Sequence, residues 1–92
     1  MAAKTPDTII RESLGKLKLH ICNFSSTNID NEDTYASGIT SIVGEPIFAV
    51  SVDPTSQGDE NCNVVTTTST GSIEFHSPQD NLTGTLYIYS RD

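Results

Sequence analysis

The sequence predicts an all-β chain: a small antiparallel β-sandwich or barrel-like roll of five to six strands, preceded by a short N-terminal arm or helix. Three observations predict it. From Lys16 onward, apolar residues recur at every second position, the period of a strand. The alternating runs are short, and clusters of Gly, Pro, Asn, Asp and Ser divide them at close spacing. Thr and Ser are abundant, Ala and Leu are sparse, and Trp is absent.

Residues 1–15 depart from that period. Thr5-Pro6-Asp7 reads as an N-cap, a first-turn proline and an acid at the positive end of a helix dipole. Ile9, Ile10 and Leu14 follow at helical spacing, and Gly15 fits a C-terminal stop. A helix this short does not hold in water by itself, so the segment is expected to pack on the domain or to dock on a partner as an arm.

In "KLKLHICNFS", Leu17, Leu19 and Ile21 point one way, and Lys18, His20 and Cys22 the other. "SSTNIDNED" is rich in turn formers, and "YASGITSIVG" holds a short extended run. "EPIFAVSVDP" is a strand bounded by Pro46 and Pro54, which suit strand ends. "TSQGDEN" is a loop. "CNVVTTTS" and "GSIEFHS" are strands joined through Thr70-Gly71 as a hairpin. "PQDNLTG" is a turn. "TLYIYSRD" places Leu86 and Ile88 on one face, Tyr87 and Tyr89 on the other. The organisation is an arm at 1–15 and a single β domain at 16–92.

The 92 residues suffice for one marginally stable domain, and oligomerisation is an expected source of further burial. A net charge of −7 repels phosphate backbones, so no direct nucleic-acid partner is expected. No run approaches the roughly 20 apolar residues of a membrane helix, so no membrane partner is expected. "MAAKTPDTII" has no apolar core of a secretory signal, and the chain is expected to be made in a cytoplasm or in a particle assembled there. Cys22 and Cys62 are then expected as free thiols, with a bridge between them the alternative.

Candidate chemistry is sparse. Asp30, Glu32 and Asp33 could open a calcium loop, but the sixth and twelfth positions of an EF-hand counted from Asp30 fall on Tyr35 and Ser41. The three acids read better as a solvated turn, with a looser calcium site the alternative. His20, Cys22, Cys62 and His76 have zinc-ligand chemistry without zinc-ligand spacing, and both histidines are expected on exposed strand positions. There is no G-x-S-x-G elbow and no Gly-rich phosphate loop. The expectation is a chain with no cofactor and no catalytic residues. The sequons at Asn23 and Asn81 are expected to be coincidental. Tyr35, Tyr87 and Tyr89 form a candidate aromatic face, for subunit packing or for sugar.

Four stretches in order, "DTYASGI" at Asp33 to Ile39, the strand from Ile47 to Val52, "GSIEF" at Gly71 to Phe75, and "LYIY" at Leu86 to Tyr89, resemble small virion structural proteins of tailed bacteriophages. The resemblance covers most of the chain and rests on strand and turn signatures. It implies a non-enzymatic virion component, a head decoration or cement protein bound outside the shell as an oligomer. The partner would be the major capsid protein, and the oligomer a homotrimer. Ile9, Ile10 and Leu14 would then make capsid or subunit contacts through the arm, and Tyr35, Tyr87 and Tyr89 through the β domain. The competing expectation is a tail, adaptor or fibre module that binds host carbohydrate through the tyrosines.

Overall fold

A computed structural model describes residues 2–51, 62–67, 69–78 and 80–91. The described residues form seven strands and no helix: β1 (Thr8–Leu14), β2 (Leu17–Ile29), β3 (Thr34–Ala36), β4 (Ile47–Val50), β5 (Asn63–Thr67), β6 (Ser72–His76) and β7 (Leu82–Ser90). They make two antiparallel sheets, one ordered β1-β2-β7-β4 and the other β3-β6-β5. This is the small antiparallel sandwich that the alternation predicts. The loop expected at 55–61 and the strand end at Pro54 lie outside the described residues.

The expected helix at the N-terminus does not form. Residues 8–14 pair along their whole length with β2, from Thr8 opposite Asn23 to Leu14 opposite Leu17. Gly15 and Lys16 turn the hairpin. Gly15 sits at φ +70°, so it supplies the left-handed first position of a type II′ turn, whose twist matches the strands. Nor is the preceding segment a free arm. Lys4 N–H donates to the Thr34 carbonyl at 2.7 Å, Thr34 N–H donates to Ala2 at 2.9 Å, and Ala3 bridges Thr34 in parallel. Residues 2–15 therefore make contacts with both sheets.

Asp7 does not cap a helix. It serves β2, whose ladder with β7 slips between Phe24, opposite Gly84, and Ile29, opposite Leu82. In the slipped stretch, Asp7 Oδ2 accepts from Ser26 N–H at 2.5 Å and from the Ser25 hydroxyl at 3.1 Å, and Oδ1 accepts from the Thr27 hydroxyl at 2.7 Å. A bulge leaves polar groups without ladder partners, and this carboxylate supplies them. The Ser26 N–H, then the Thr27 hydroxyl, hold the Asp7 carboxyl down to about 2.

The core lies between the sheets. Phe24 is fully buried and meets Tyr35, Phe48 and Phe75 edge-to-face, with centroids 5.8, 5.9 and 5.7 Å away. Phe48 and Phe75 meet at 5.1 Å. Cys22, Ile29, Ile73, Leu82, Leu86 and Ile88 fill the space around the rings. Gly84 lets β4 approach. A Cβ there would sit 2.3 Å from the Ala49 carbonyl oxygen and 3.0 Å from Val50 Cα, both backbone.

Two outcomes follow from this packing. Truncating Phe24→Ala removes all three contacts from both sheets, and urea unfolding should show a loss of about 3–5 kcal/mol; a loss under about 1 kcal/mol would mean that the ring cluster is not the centre of the core. The second concerns Asp7, whose folded pKa lies below its ordinary value of 3.8. Its contribution is therefore present above pH 3.8 and is lost as the pH falls towards 2. Thermal melts should show Asp7→Asn below wild type at pH 6, with the gap closing by about pH 2.

The outer sheet face as candidate functional site

Cross-strand partners share a face, so the registers define what each side of the four-stranded sheet shows. The inner face carries Cys22, Phe24, Leu86, Ile88 and Phe48 into the core. The outer face carries a row that crosses the whole sheet: Ile10 on β1, Ile21 on β2, Tyr87 on β7 and Ile47 on β4. One step towards the hairpin turn, Glu12, Leu19 and Tyr89 line up, and beyond them Leu14 faces Leu17. In the other direction the row turns polar, with Thr8, Asn23, Thr85 and Ala49, and the Thr85 hydroxyl donates to Asn23 at 3.0 Å.

Four of the apolar side chains on this face are exposed, while Leu17, Leu19, Ile21 and Tyr87 are half-buried. Ile47 is 61% exposed, Ile10 49%, Leu14 48% and Tyr89 40%. The three rows hold four, three and two of these residues, eight of them apolar; with strands about 4.8 Å apart and same-face residues about 6.8 Å apart they present roughly 250 Å² of contiguous apolar face. The outer face of the three-stranded sheet is mostly polar: Ser72, Glu74 and His76 alternate with the buried Ile73 and Phe75, and Val65, opposite Glu74, is an exposed apolar residue there. That is the ordinary pattern for a solvated sheet face, so the apolar outer face of the larger sheet is the exception.

The residues singled out in the sequence separate in space. Ile10, Leu14, Tyr87 and Tyr89 share the outer face. Ile9 lies on the opposite side of β1, opposite Cys22. Tyr35 is a core residue, only 8% exposed and packed on Phe24, so it does not share a face with Tyr87 and Tyr89. Burial pushes its hydroxyl up to about 12, helped by the neighbouring Cys22, whose own thiol burial also pushes up. Leu17, Leu19, Ile21 and Ile47 complete the face and were not singled out by the sequence. For Leu17, Leu19 and Ile21 the signal was present in "KLKLHICNF", where Cys22 and Phe24 make the other phase of the strand apolar at its end.

The acids of "IDNED" are structural. Asp33 is buried, and its Oδ1 accepts from Ala2 N–H at 3.0 Å and its Oδ2 from Asp30 N–H at 2.7 Å. Lys4 Nζ stands 3.6 Å away and balances the charge. Asp30 Oδ1 accepts from Asn81 N–H at 2.8 Å, and Glu32 occupies a left-handed turn position at φ 68°. His20, expected on an exposed position, is buried, with Nε2 2.8 Å from the Ser90 hydroxyl. It is on the same phase of β2 as Cys22 and Phe24, and those two fix that phase inward. His76 is half-buried on β6, 3.4 Å from Glu74. Among the described residues, no three His, Cys, Asp or Glu side chains group to hold a metal ion.

Cys22 and Cys62 are both free thiols. Cys62 borders an open hollow of about 270 Å³ with Glu45, Ile47 and Phe48. Burial pushes its thiol up to about 11, so it is protonated at neutral pH and a poor nucleophile. A second open hollow, about 340 Å³, is lined by Lys18, His20 and residues 38–41. Among the described residues, no helix is long and apolar enough to cross a membrane. No protein-family description, curated protein or solved structure matches this chain.

The site makes one clear prediction. Ile47→Lys and Tyr89→Lys alter exposed positions on the outer face, so each should leave the melting temperature within about 2 °C of wild type, as surface changes do. Both should also lower binding of an apolar dye such as ANS; unchanged dye binding would mean that this face is covered.

Proposed function

We propose that this chain is a non-enzymatic virion structural protein, a capsid decoration or cement protein that binds the outside of a tailed-phage head. One observation supports it above the others: the apolar row Ile10, Ile21, Tyr87 and Ile47, which spans all four strands of one sheet and faces outward. A domain this small gains nothing from leaving those groups in water unless another surface covers them. The partner is the major capsid protein, and the sequence resemblance supplies that part of the reading.

The mechanism differs from an arm that reaches across neighbours. The contact is a rigid sheet face, positioned by the ladders and the aromatic core beneath it. At about 25 cal/mol per Å², covering roughly 250 Å² of apolar surface yields about 6 kcal/mol before the costs of association. Much of that is offset by lost rigid-body freedom and ordered side chains. Many copies per shell would then add many modest contacts. The acidic net charge suits the outside of a shell, away from packed DNA.

Sedimentation with empty expanded heads tests this reading. Wild-type chain should pellet with the heads at hundreds of copies each, and heads carrying it should resist heating better than bare ones. Ile47→Lys and Tyr89→Lys should reduce occupancy by tenfold or more. Saturation at a handful of copies would point to a tail or adaptor position, and no pelleting at all would end the shell reading.

A further inference from the structure

We infer that β1 is a self-pairing edge, through which two copies of this chain join their four-stranded sheets into one. This concerns the rim of the sheet rather than its face, and it does not depend on the shell reading. β1 is terminal in the order β1-β2-β7-β4, and every one of its residues is exposed. It carries no proline, and it is 7 residues long. Sheet edges of that kind are normally shortened, bulged or blocked, because they template further pairing.

The hairpin geometry says which backbone groups are available. A two-residue turn closes on a hydrogen-bonded pair, here Leu14 and Leu17. Pairs then alternate, so Thr8, Ile10, Glu12 and Leu14 bond towards β2, while Ile9, Arg11 and Ser13 present N–H and C=O to the open edge.

Charge selects a second copy as the occupant. Arg11, Lys16, Lys18 and Arg91 outnumber Glu12 towards the hairpin-turn end of the β2–β7 ladder, where Lys18 pairs with Ser90. Asp7, Asp30, Glu32, Asp33 and Asp80 outnumber Lys4, the partner of Asp33, towards the opposite end, where Ile29 pairs with Leu82. Two β1 strands meeting antiparallel set the basic end of each copy beside the acidic end of the other.

Charge and overlap also select the register. A two-fold axis normal to the sheet keeps each face continuous, and it must pass through one residue of β1. An axis at Arg11 or at Glu12 opposes like charges directly. An axis at Ile9 overlaps only residues 8–10. An axis at Ile10 overlaps residues 8–12, sets Ile9 against the partner's Arg11 in hydrogen-bonded pairs, and sets Thr8 against the partner's Glu12. Ile10 then meets the partner's Ile10 on the outer face. The apolar row continues unbroken across both copies, and the two-fold replaces the three-fold assembly that the resemblance implies.

Register-specific cross-linking tests this. Ile10→Cys places two thiols at a non-hydrogen-bonded pair, where Cα atoms stand about 4.5 Å apart and a disulfide fits. Mild oxidation should convert I10C to a covalent dimer, while wild type and Arg11→Cys stay monomeric on non-reducing gels. Sedimentation equilibrium of the wild-type chain should show reversible doubling of mass, weakened tenfold or more by Ile9→Pro, which removes an outward N–H and leaves the β1–β2 ladder intact. Wild-type chain that stays monomeric at millimolar concentration, or that forms trimers, would overturn the inference. So would cross-linking of Glu12→Cys in place of I10C. Loss of head binding with dimerisation intact would instead refute only the shell proposal.

Discussion

The fold depends on one ring. Phe24 stands where β2 leaves its regular ladder, opposite the glycine that lets β4 close in, and it touches aromatic rings from both sheets. Edge-to-face rings prefer defined angles, and the three pairs on Phe24 lie between 76° and 81°. That fixes the spacing and rotation of the two sheets together. The phase of β2 follows from it. With Phe24 inward, Cys22 and His20 must also point inward, and Ile21, Leu19 and Leu17 must point out. The apolar outer face is therefore a consequence of how the core is seated.

Buried polar groups complete that constraint. Asp33 is almost fully enclosed, and an enclosed carboxylate is tolerated only where donors and a countercharge meet it. Ala2 and Asp30 supply backbone N–H groups and Lys4 the cation, so the charge ties the chain's start to the β2–β3 turn. Asp7 plays the matching part at the bulge. Acids that resemble a calcium loop in the sequence are, in the structure, the fittings that hold the sandwich's acidic end together.

Strands that bury or half-bury one face were legible in the sequence, and β1 was not. β2, β6 and β7 each bury one face and β5 half-buries one, so their alternation is visible, although the expected outward phase of β2 carries His20, which the structure turns inward; the β5–β6 hairpin follows from Thr70-Gly71. β1 buries neither face. Burial imposes no period on it, and Thr5-Pro6-Asp7 with Ile9, Ile10 and Leu14 mimics a capped helix. Half of the candidate site was legible for the same reason. Tyr87 and Tyr89 alternate with the core residues Leu86 and Ile88 and so declare themselves outward. Tyr35 shows no such phase, because β3 spans only Thr34–Ala36, too short to alternate. Ile47 is separated from Tyr87 by forty residues of chain, and only the β4–β7 register brings the two side by side.

An outward apolar row in a chain of this size has a thermodynamic meaning. A domain of 92 residues has a small stability margin, and apolar side chains placed outside contribute little to it while the chain is alone. Their contribution arises only when a second surface removes them from water. Whatever covers the row binds the folded chain and not the unfolded one, so stability must rise with the concentration of that partner. The same holds for the β1 edge, whose outward backbone groups are satisfied by water in the monomer and by another strand in the pair. Face and edge meet at Ile10, which belongs to both, so covering one pre-orders the other. A sheet doubled through its edge presents a longer apolar row than either half, and a rigid partner surface that matches the pair will bind it more tightly than two separate copies.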